Sequence, residues 1–191
     1  MFLSSRSDSI LRKMSKGRPP SVKKPQMIPA GFISRKLDEM SRHSDNEIEA
    51  FLDDIEFNYP PLYYEVMSSS KKIDKLNDNM GSLLIDLFLD MWIIYKSYYG
   101  NVLKRLQFEH LEHRIHESFS ILRDIIVLDL EFDDLYLSLR TRINQAFLLD
   151  WIYQRVECFA RKDASRLVVK KTVIECLAIL SLVLDLMVPE N

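Results

Sequence analysis

The chain has 191 residues, of which 47% are hydrophobic and 10% are aromatic, and its formal net charge at pH 7 is −2. This composition excludes a globally disordered chain, and the near-neutral charge argues against a protein coated by nucleic acid. A compact domain usually takes about 100–200 residues, so we expect one domain preceded by a polar tail.

Residues 1–44 are predicted to be a disordered basic arm. They hold four of the seven prolines, and ten lysines and arginines against three acids, a composition typical of flexible segments. Up to Arg18 the pattern also fits a short basic amphipathic helix, as in a mitochondrial presequence or a membrane-surface anchor; a solvated tail is the alternative. Ser9 and Ser15 follow basic residues, a weak pattern for phosphorylation. The side chains expected to contact an anionic membrane or an acidic partner are Arg12, Lys13, Lys16, Arg18, Lys23 and Lys24.

An acidic amphipathic helix is predicted from Asp45 to Phe57. It begins with a capping box, in which Ser44 and Glu47 satisfy each other's backbone N–H groups. Between Asp45 and Val66 there are seven acids and no base, so this helix is a candidate docking segment for a partner groove. Two alternatives remain: the helix packs on its own domain, or it pairs with the chain's own basic arm. The predicted partner-binding residues of the helix are Phe51, Leu52 and Ile55.

A Pro-Pro-x-Tyr motif follows the acidic helix, formed by Pro60, Pro61, Leu62 and Tyr63. WW domains bind this motif as a preformed polyproline segment, with the proline rings held between aromatic side chains. In the alternative interpretation the prolines end one helix, and Pro61 is the first residue of the next.

The stretch from Lys71 to Tyr99 is predicted to form one central helix of about eight turns, because its apolar residues recur every three or four positions. Gly100 would end this helix as a C-terminal cap. No proline occurs between Leu62 and Val188. Since sheets need frequent turns, we expect this whole part of the chain to be helical.

Three further helices are predicted, over residues 102–127, 134–161 and 166–187. Residues 126–139 also fit a hairpin, but an isolated two-stranded ribbon is marginal in water, so we favour a helix break near Asp129 to Asp134. The sequence therefore predicts an all-α bundle of about five helices, over residues 45–191, preceded by the disordered basic N-terminal arm.

The sequence contains one dense group of metal-ligand side chains, between Glu109 and Glu117, with three histidines at three-residue spacing. It lacks the His-Glu-x-x-His and Glu-x-x-His strings of known helical metal sites, so we predict no metal and interpret the group as a solvated helix face. The acids from Asp129 to Asp134 lack the glycine of a calcium loop. No glycine-rich phosphate loop or nucleophile motif occurs. We therefore expect no enzyme, no cofactor and no specific nucleic-acid recognition. The alternative to a non-enzymatic protein is an enzyme with paired carboxylates, from separate helices, inside the bundle.

Cys158 and Cys176 are too few for a disulfide framework and are expected to be reduced thiols in the core. No secretory signal is predicted, so the cytoplasm or nucleus is the expected location, with a mitochondrial or membrane-associated one as the alternative. The longest apolar run, residues 172–188, includes Glu175 and Asp185. It is predicted to be a buried C-terminal helix, because a membrane span needs about twenty residues with few charges; a tail anchor is the alternative.

These observations favour a non-enzymatic helical scaffold or adaptor, a subunit of an intracellular complex that recruits protein partners through the arm and the acidic helix. The wide apolar faces of residues 83–99 and 172–188 also suggest a homo-oligomer.

A basic arm, a Pro-Pro-x-Tyr motif at Pro60 to Tyr63 and a compact domain form an arrangement similar to the matrix proteins of enveloped negative-strand viruses. The resemblance covers residues 1–63 and one short motif. It implies that the arm binds anionic lipid and that the motif recruits WW-domain ubiquitin ligases for budding.

Overall fold

The structure, a computed structural model, describes residues 27–75, 79–100, 113, 116, 132–140, 143, 145–160 and 166–186. This part of the chain contains helices and no strand, so the prediction of an all-α fold is confirmed. Its seven helices are α1 (Ala30–Met40), α2 (Asp45–Asn58), α3 (Pro60–Asp74), α4 (Met80–Tyr99), α5 (Phe132–Arg140), α6 (Ala146–Ala160) and α7 (Arg166–Leu186).

Helix α1 lies in the range for which the sequence predicts a disordered arm, and that prediction does not hold for Ala30–Met40. Ile28 and Ile33 are buried, and the ring of Phe32 packs edge-on against Tyr98 of α4 at 5.1 Å between centroids. The backbone N–H of Ile28 donates to Gln145 Oε1 at 2.9 Å. These contacts attach the start of α1 to the bundle.

Helix α2 has nearly its predicted bounds, because the residues at both ends define them. At its start the backbone N–H and the hydroxyl of Ser44 both donate to the Glu47 carboxylate, at 2.8 and 2.9 Å. At its end Tyr59 leaves the helical conformation and Pro60 begins α3. Helix α2 packs on α3 and α4.

The predicted single helix from Lys71 to Tyr99 is wrong, because the chain breaks between α3 and α4. Asn79 adopts a left-handed conformation, with φ 72°, which cannot continue a right-handed helix. The Asp74 carboxylate accepts the backbone N–H of Gly81 at 2.8 Å, so it binds a donor that has no partner within the helix. The apolar stripe therefore continues across two helices that pack on each other.

Helix α4 is the centre of the bundle and packs against α1, α2, α3, α6 and α7. Its apolar residues are buried all round from Leu87 to Tyr95, with only Asp90 partly exposed. Helix α7 is similarly buried from Thr172 to Ser181, apart from Glu175. Where their residues are described, the two faces on which the sequence bases a homo-oligomer are therefore largely covered by the chain itself.

The C-terminal part contains three helices where two are predicted. Helix α5 covers the ambiguous residues 132–139, so these are helical and not a hairpin, while residues 126–131 lie outside the described part. The predicted helix 134–161 is interrupted, since Ile143 and Gln145 are not helical. Helix α7 agrees with its prediction. Of the predicted helix 102–127 only His113 and His116 are described, and both are helical.

The two cysteines differ in environment. Cys176 is buried, as predicted, and burial raises the pKa of its thiol to about 12. Cys158 is exposed on α6, so its predicted core position is wrong. It lies on the outer side of a helix whose inner side carries Ile152 and Val156. None of the described helices is long and apolar enough to span a membrane.

Candidate functional site

The outer side of the α2–α3 connection combines acidic side chains with exposed aromatic rings; Glu49 and Asp53 are exposed, and Glu56 is half-buried. We call this surface the acidic–aromatic corner and define it by Glu49, Asp53, Glu56, Phe57 and Tyr64. The Phe57 side chain is 85% exposed and the Tyr64 side chain 60%, the two largest exposures among the described large hydrophobic residues. The Tyr64 hydroxyl donates to Glu56 Oε1 at 3.2 Å, which joins the two helices across the corner.

The inner side of the same connection explains why these rings face outward. Tyr59, between the two helices, is buried and packs edge-on against Trp92 of α4 at 4.7 Å between centroids. Ile55 and Leu62, on either side of Tyr59, are also buried. Because successive helix residues turn by about 100°, Phe57 lies on the face opposite to Ile55.

The negative charge of the corner affects the pKa of its tyrosine, Tyr64, and of the neighbouring Tyr63. The hydrogen bond to Glu56, together with the charge of that carboxylate, raises the pKa of Tyr64. Burial raises the pKa of Tyr63, and the negative charges of Glu56 and Asp53 add to it. A negative potential over exposed rings favours cationic side chains, which bind both carboxylates and aromatic faces.

Two other acids of α2 are already used within the chain. Glu47 caps the helix, and hydrogen bonds from the Ser44 backbone and hydroxyl lower its pKa. Asp54 forms an ion pair with Lys96 of α4, with 2.5 Å between Nζ and Oδ2. Glu49 and Asp53 have no ion-pair partner among the described residues, so their charges remain available on the surface.

The predicted partner-binding residues of α2 pack inside the bundle instead. Ile55 is fully buried, and Phe51 and Leu52 are half-buried against the core. The imidazole ring of His43 lies over Phe51, with 5.6 Å between centroids. The described structure therefore has α2 docked on its own domain, which is one of the alternatives left open by the sequence.

The Pro-Pro-x-Tyr motif forms the first turn of α3, with Pro60 and Pro61 as its first residues. Leu62 is buried and Tyr63 is half-buried. A WW domain binds an extended polyproline conformation, so this turn would have to unwind for binding. Recruitment of a WW domain stays a prediction. The basic residues predicted to contact a membrane or an acidic partner, at positions 12–24, lie outside the described residues.

A second polar group holds α5 against α6. The Tyr136 hydroxyl and the Arg140 guanidinium both donate to the Asp150 carboxylate, and the Tyr153 hydroxyl donates to Asp133 at 2.6 Å. The rings of Tyr136 and Tyr153 stack at 4.0 Å between centroids. Burial raises the pKa of Asp150, but the donors Arg140 and Tyr136 outweigh it and lower the pKa overall. These groups satisfy one another, so the arrangement serves packing.

Asp90 is a partly buried acid in the middle of α4. Burial raises its pKa to about 6; Arg155 of α6 opposes this shift, and Asp86, one turn away on α4, adds to it. Because the folded chain holds this proton more tightly than the unfolded chain, the protonated carboxyl stabilises the fold fully below about pH 4, and this contribution is lost as the pH rises through about 6.

Replacing Asp90 by asparagine is therefore expected to raise the free energy of unfolding at pH 7 by about 1–2 kcal/mol, after allowance for partial exposure. The variant should also lose the decline in stability between about pH 4 and pH 6. Urea unfolding at a series of pH values measures both effects. The matched control is Asp134→Asn, which changes an exposed acid of α5. An unchanged pH profile in the Asp90 variant would contradict the assignment.

Among the described residues no group of three histidine, cysteine, aspartate or glutamate side chains is arranged to hold a metal ion. His113 and His116 are exposed, and the remainder of the Glu109–Glu117 group lies outside the described residues.

No protein-family model matches the chain, and no curated protein or solved structure matches it. The two most exposed of the described large hydrophobic residues, Phe57 and Tyr64, both belong to the acidic–aromatic corner.

Sequence reasoning missed the exposed aromatic members of this corner. Phe57 follows the predicted apolar stripe of α2 but is out of register with it, two residues after Ile55, and that offset was the available signal. The exposure of Tyr64 had no comparable signal, since it depends on how α3 packs.

Proposed function

We propose that this chain is a non-enzymatic helical scaffold or adaptor, a subunit of an intracellular complex in the cytoplasm or nucleus, and that a protein partner binds its acidic–aromatic corner. The observation that carries the proposal is the exposure of Phe57 and Tyr64 beside Glu49, Asp53 and Glu56. Aromatic residues are enriched in protein interfaces, and their truncation typically produces the largest losses of binding energy.

The chemistry of the corner selects the kind of partner. A segment that carries lysine or arginine beside apolar side chains can place its cations on the carboxylates and on the aromatic faces. A second copy of the corner is an unfavourable partner, because the two surfaces carry charge of the same sign.

The bundle supports the corner through contacts with the central helix α4. Tyr59 is fixed against Trp92, and the pair of Asp54 with Lys96 joins α2 to the central helix. A surface that is already ordered loses less conformational entropy on binding than a flexible segment does.

Affinity purification of the intact chain from cells, followed by mass spectrometry, tests the proposal. We expect companions that disappear in the Phe57→Ala/Tyr64→Ala variant and persist in the control Leu137→Ala/Phe147→Ala. The control residues are exposed too, at 57% and 40%, on α5 and α6. The absence of companions, or an identical set in all three samples, would contradict the proposal.

A further inference from the structure

We infer that in the free protein the acidic–aromatic corner binds the chain's own N-terminal segment, residues 6–24. This inference rests on the proposed function to the extent that both use the same surface. It adds that the first occupant of the surface is part of the chain itself, so that a partner has to displace it.

Charge complementarity identifies the occupant. Residues 1–26 contain seven lysines and arginines and a single acid, Asp8. The corner carries Glu49, Asp53 and Glu56, and no lysine or arginine lies between Asp45 and Val66. Unlike charges attract each other, so the charges of residues 6–24 favour their approach to the corner.

The apolar residues of the segment also match the corner. Within residues 6–24, Ile10, Leu11 and Met14 lie between the basic residues. Phe57 and Tyr64 offer exposed rings for apolar side chains and for the aliphatic stems of lysine and arginine. The same rings attract the charged ends of these stems through cation–π interaction.

The point of attachment places the segment within reach. Ile28 is fixed by its hydrogen bond to Gln145, and Phe32 packs on Tyr98 near the C-terminal end of α4. Asp54, next to corner residue Asp53, pairs with Lys96 at the same end of α4. The twenty-six residues before Met27 span at most about 85 Å when extended, and a helix of twenty residues such as α4 is about 30 Å long. The N-terminal residues are therefore long enough to reach the corner. A segment tethered in this way acts at about millimolar effective concentration.

The contact would regulate partner binding. A partner that needs the open corner binds with an apparent affinity reduced by the fraction of chains in which the corner is open. A phosphate on Ser9 or Ser15 would remove part of the segment's positive charge and favour the open corner.

Zero-length carbodiimide cross-linking of the purified full chain, read by mass spectrometry, tests the contact. We expect Lys13, Lys16, Lys23 and Lys24 to form amide links with Glu49, Asp53 and Glu56. The yield should fall in 0.5 M salt, because screening weakens exposed charge pairs. A mixture of ¹⁵N-labelled and unlabelled chains should give links within single chains only.

Charge-reversal variants make the test specific. Glu49→Lys/Asp53→Lys should lower the yield of links to the remaining corner acid, Glu56, about tenfold. These two positions leave the Glu47 cap and the Asp54 pair intact. A chain that carries Lys13→Glu/Lys16→Glu in addition should regain links. These links should join the new carboxylates at positions 13 and 16 to the new amines at positions 49 and 53. The control Asp38→Lys/Asp134→Lys changes exposed acids outside the corner and should leave the yield unaltered.

Links spread evenly over exposed acids, links only between different chains, or the same yield in the corner variant and its control would each overturn the inference. The experiment contains no partner, so its failure leaves the proposed function intact. Conversely, an absence of companions in cells would not alter the cross-linking pattern.

Discussion

Replacing Gly81 by alanine is expected to lower the free energy of unfolding by about 2–3 kcal/mol. Gly81 lies where α4 begins against α3, and a Cβ there would lie closer than 3.0 Å to the Ser70 carbonyl oxygen and the Asp74 carboxyl group. The carbonyl is part of a helix and cannot rotate away, so the helices would have to separate. The hydrogen bond from Gly81 to Asp74 would be lost with that movement.

Gly31→Ala is the matched control for this prediction. Gly31 lies in the first turn of α1, and no atom lies within 4 Å of the position its Cβ would take. Alanine there should stabilise the chain by about 0.5–1 kcal/mol, since alanine loses less backbone entropy than glycine in a helix. Equilibrium unfolding in urea measures both variants. Equal effects at the two positions would show that α3 and α4 are not in close contact at Gly81.

Replacing Trp92 by alanine is expected to lower the free energy of unfolding by about 3–5 kcal/mol. Trp92 is buried in α4 and contacts the rings of Tyr59 and Phe88. Its removal would leave a cavity under the α2–α3 connection. Its indole Nε1 is buried without a hydrogen-bond partner among the described residues. Trp92→Phe should therefore cost much less, because it keeps a ring and removes an unsatisfied donor.

Phe57→Ala provides the contrast, because it also removes an aromatic ring but from an exposed position. We expect a change within about 0.5 kcal/mol. Chemical unfolding of Trp92→Ala, Trp92→Phe and Phe57→Ala, monitored by circular dichroism, gives the comparison. A large loss of unfolding free energy in Phe57→Ala, with a small loss in Trp92→Ala, would contradict the burial of Trp92 and the exposure of Phe57.

Much of the helical architecture could be predicted from local signals. The reciprocal Ser44 and Glu47 contacts and the prolines after Asn58 define α2, and the nearly continuous apolar pattern from residue 172 defines α7. The break before α4 was missed because Ile73, Leu76 and Met80 keep helical spacing across it. Spacing alone cannot show that Asn79 has a positive φ, although Asn77, Asp78 and Asn79 are residues that favour turns.

Helix α1 and the corner were missed for different physical reasons. The prolines and positive charges of residues 1–44 dominate the composition and hide the helical spacing of Ile33, Leu37 and Met40. In α2 the apolar stripe was recognised. Whether the stripe binds a partner or packs within the domain depends on which residues cover it. Packing against α3 and α4 buries Ile55 and leaves Phe57 outside, and such long-range contacts are not encoded in a local pattern.

Equilibrium titration of a companion recovered from cells against the full-length chain tests the proposed function most directly. We predict that Phe57→Ala/Tyr64→Ala raises the Kd at least about 30-fold, the loss typical of interface residues that dominate binding energy. The Leu137→Ala/Phe147→Ala control should leave the Kd unchanged. An unchanged Kd in the corner variant, or a loss confined to the control, would contradict a binding role for the acidic–aromatic corner.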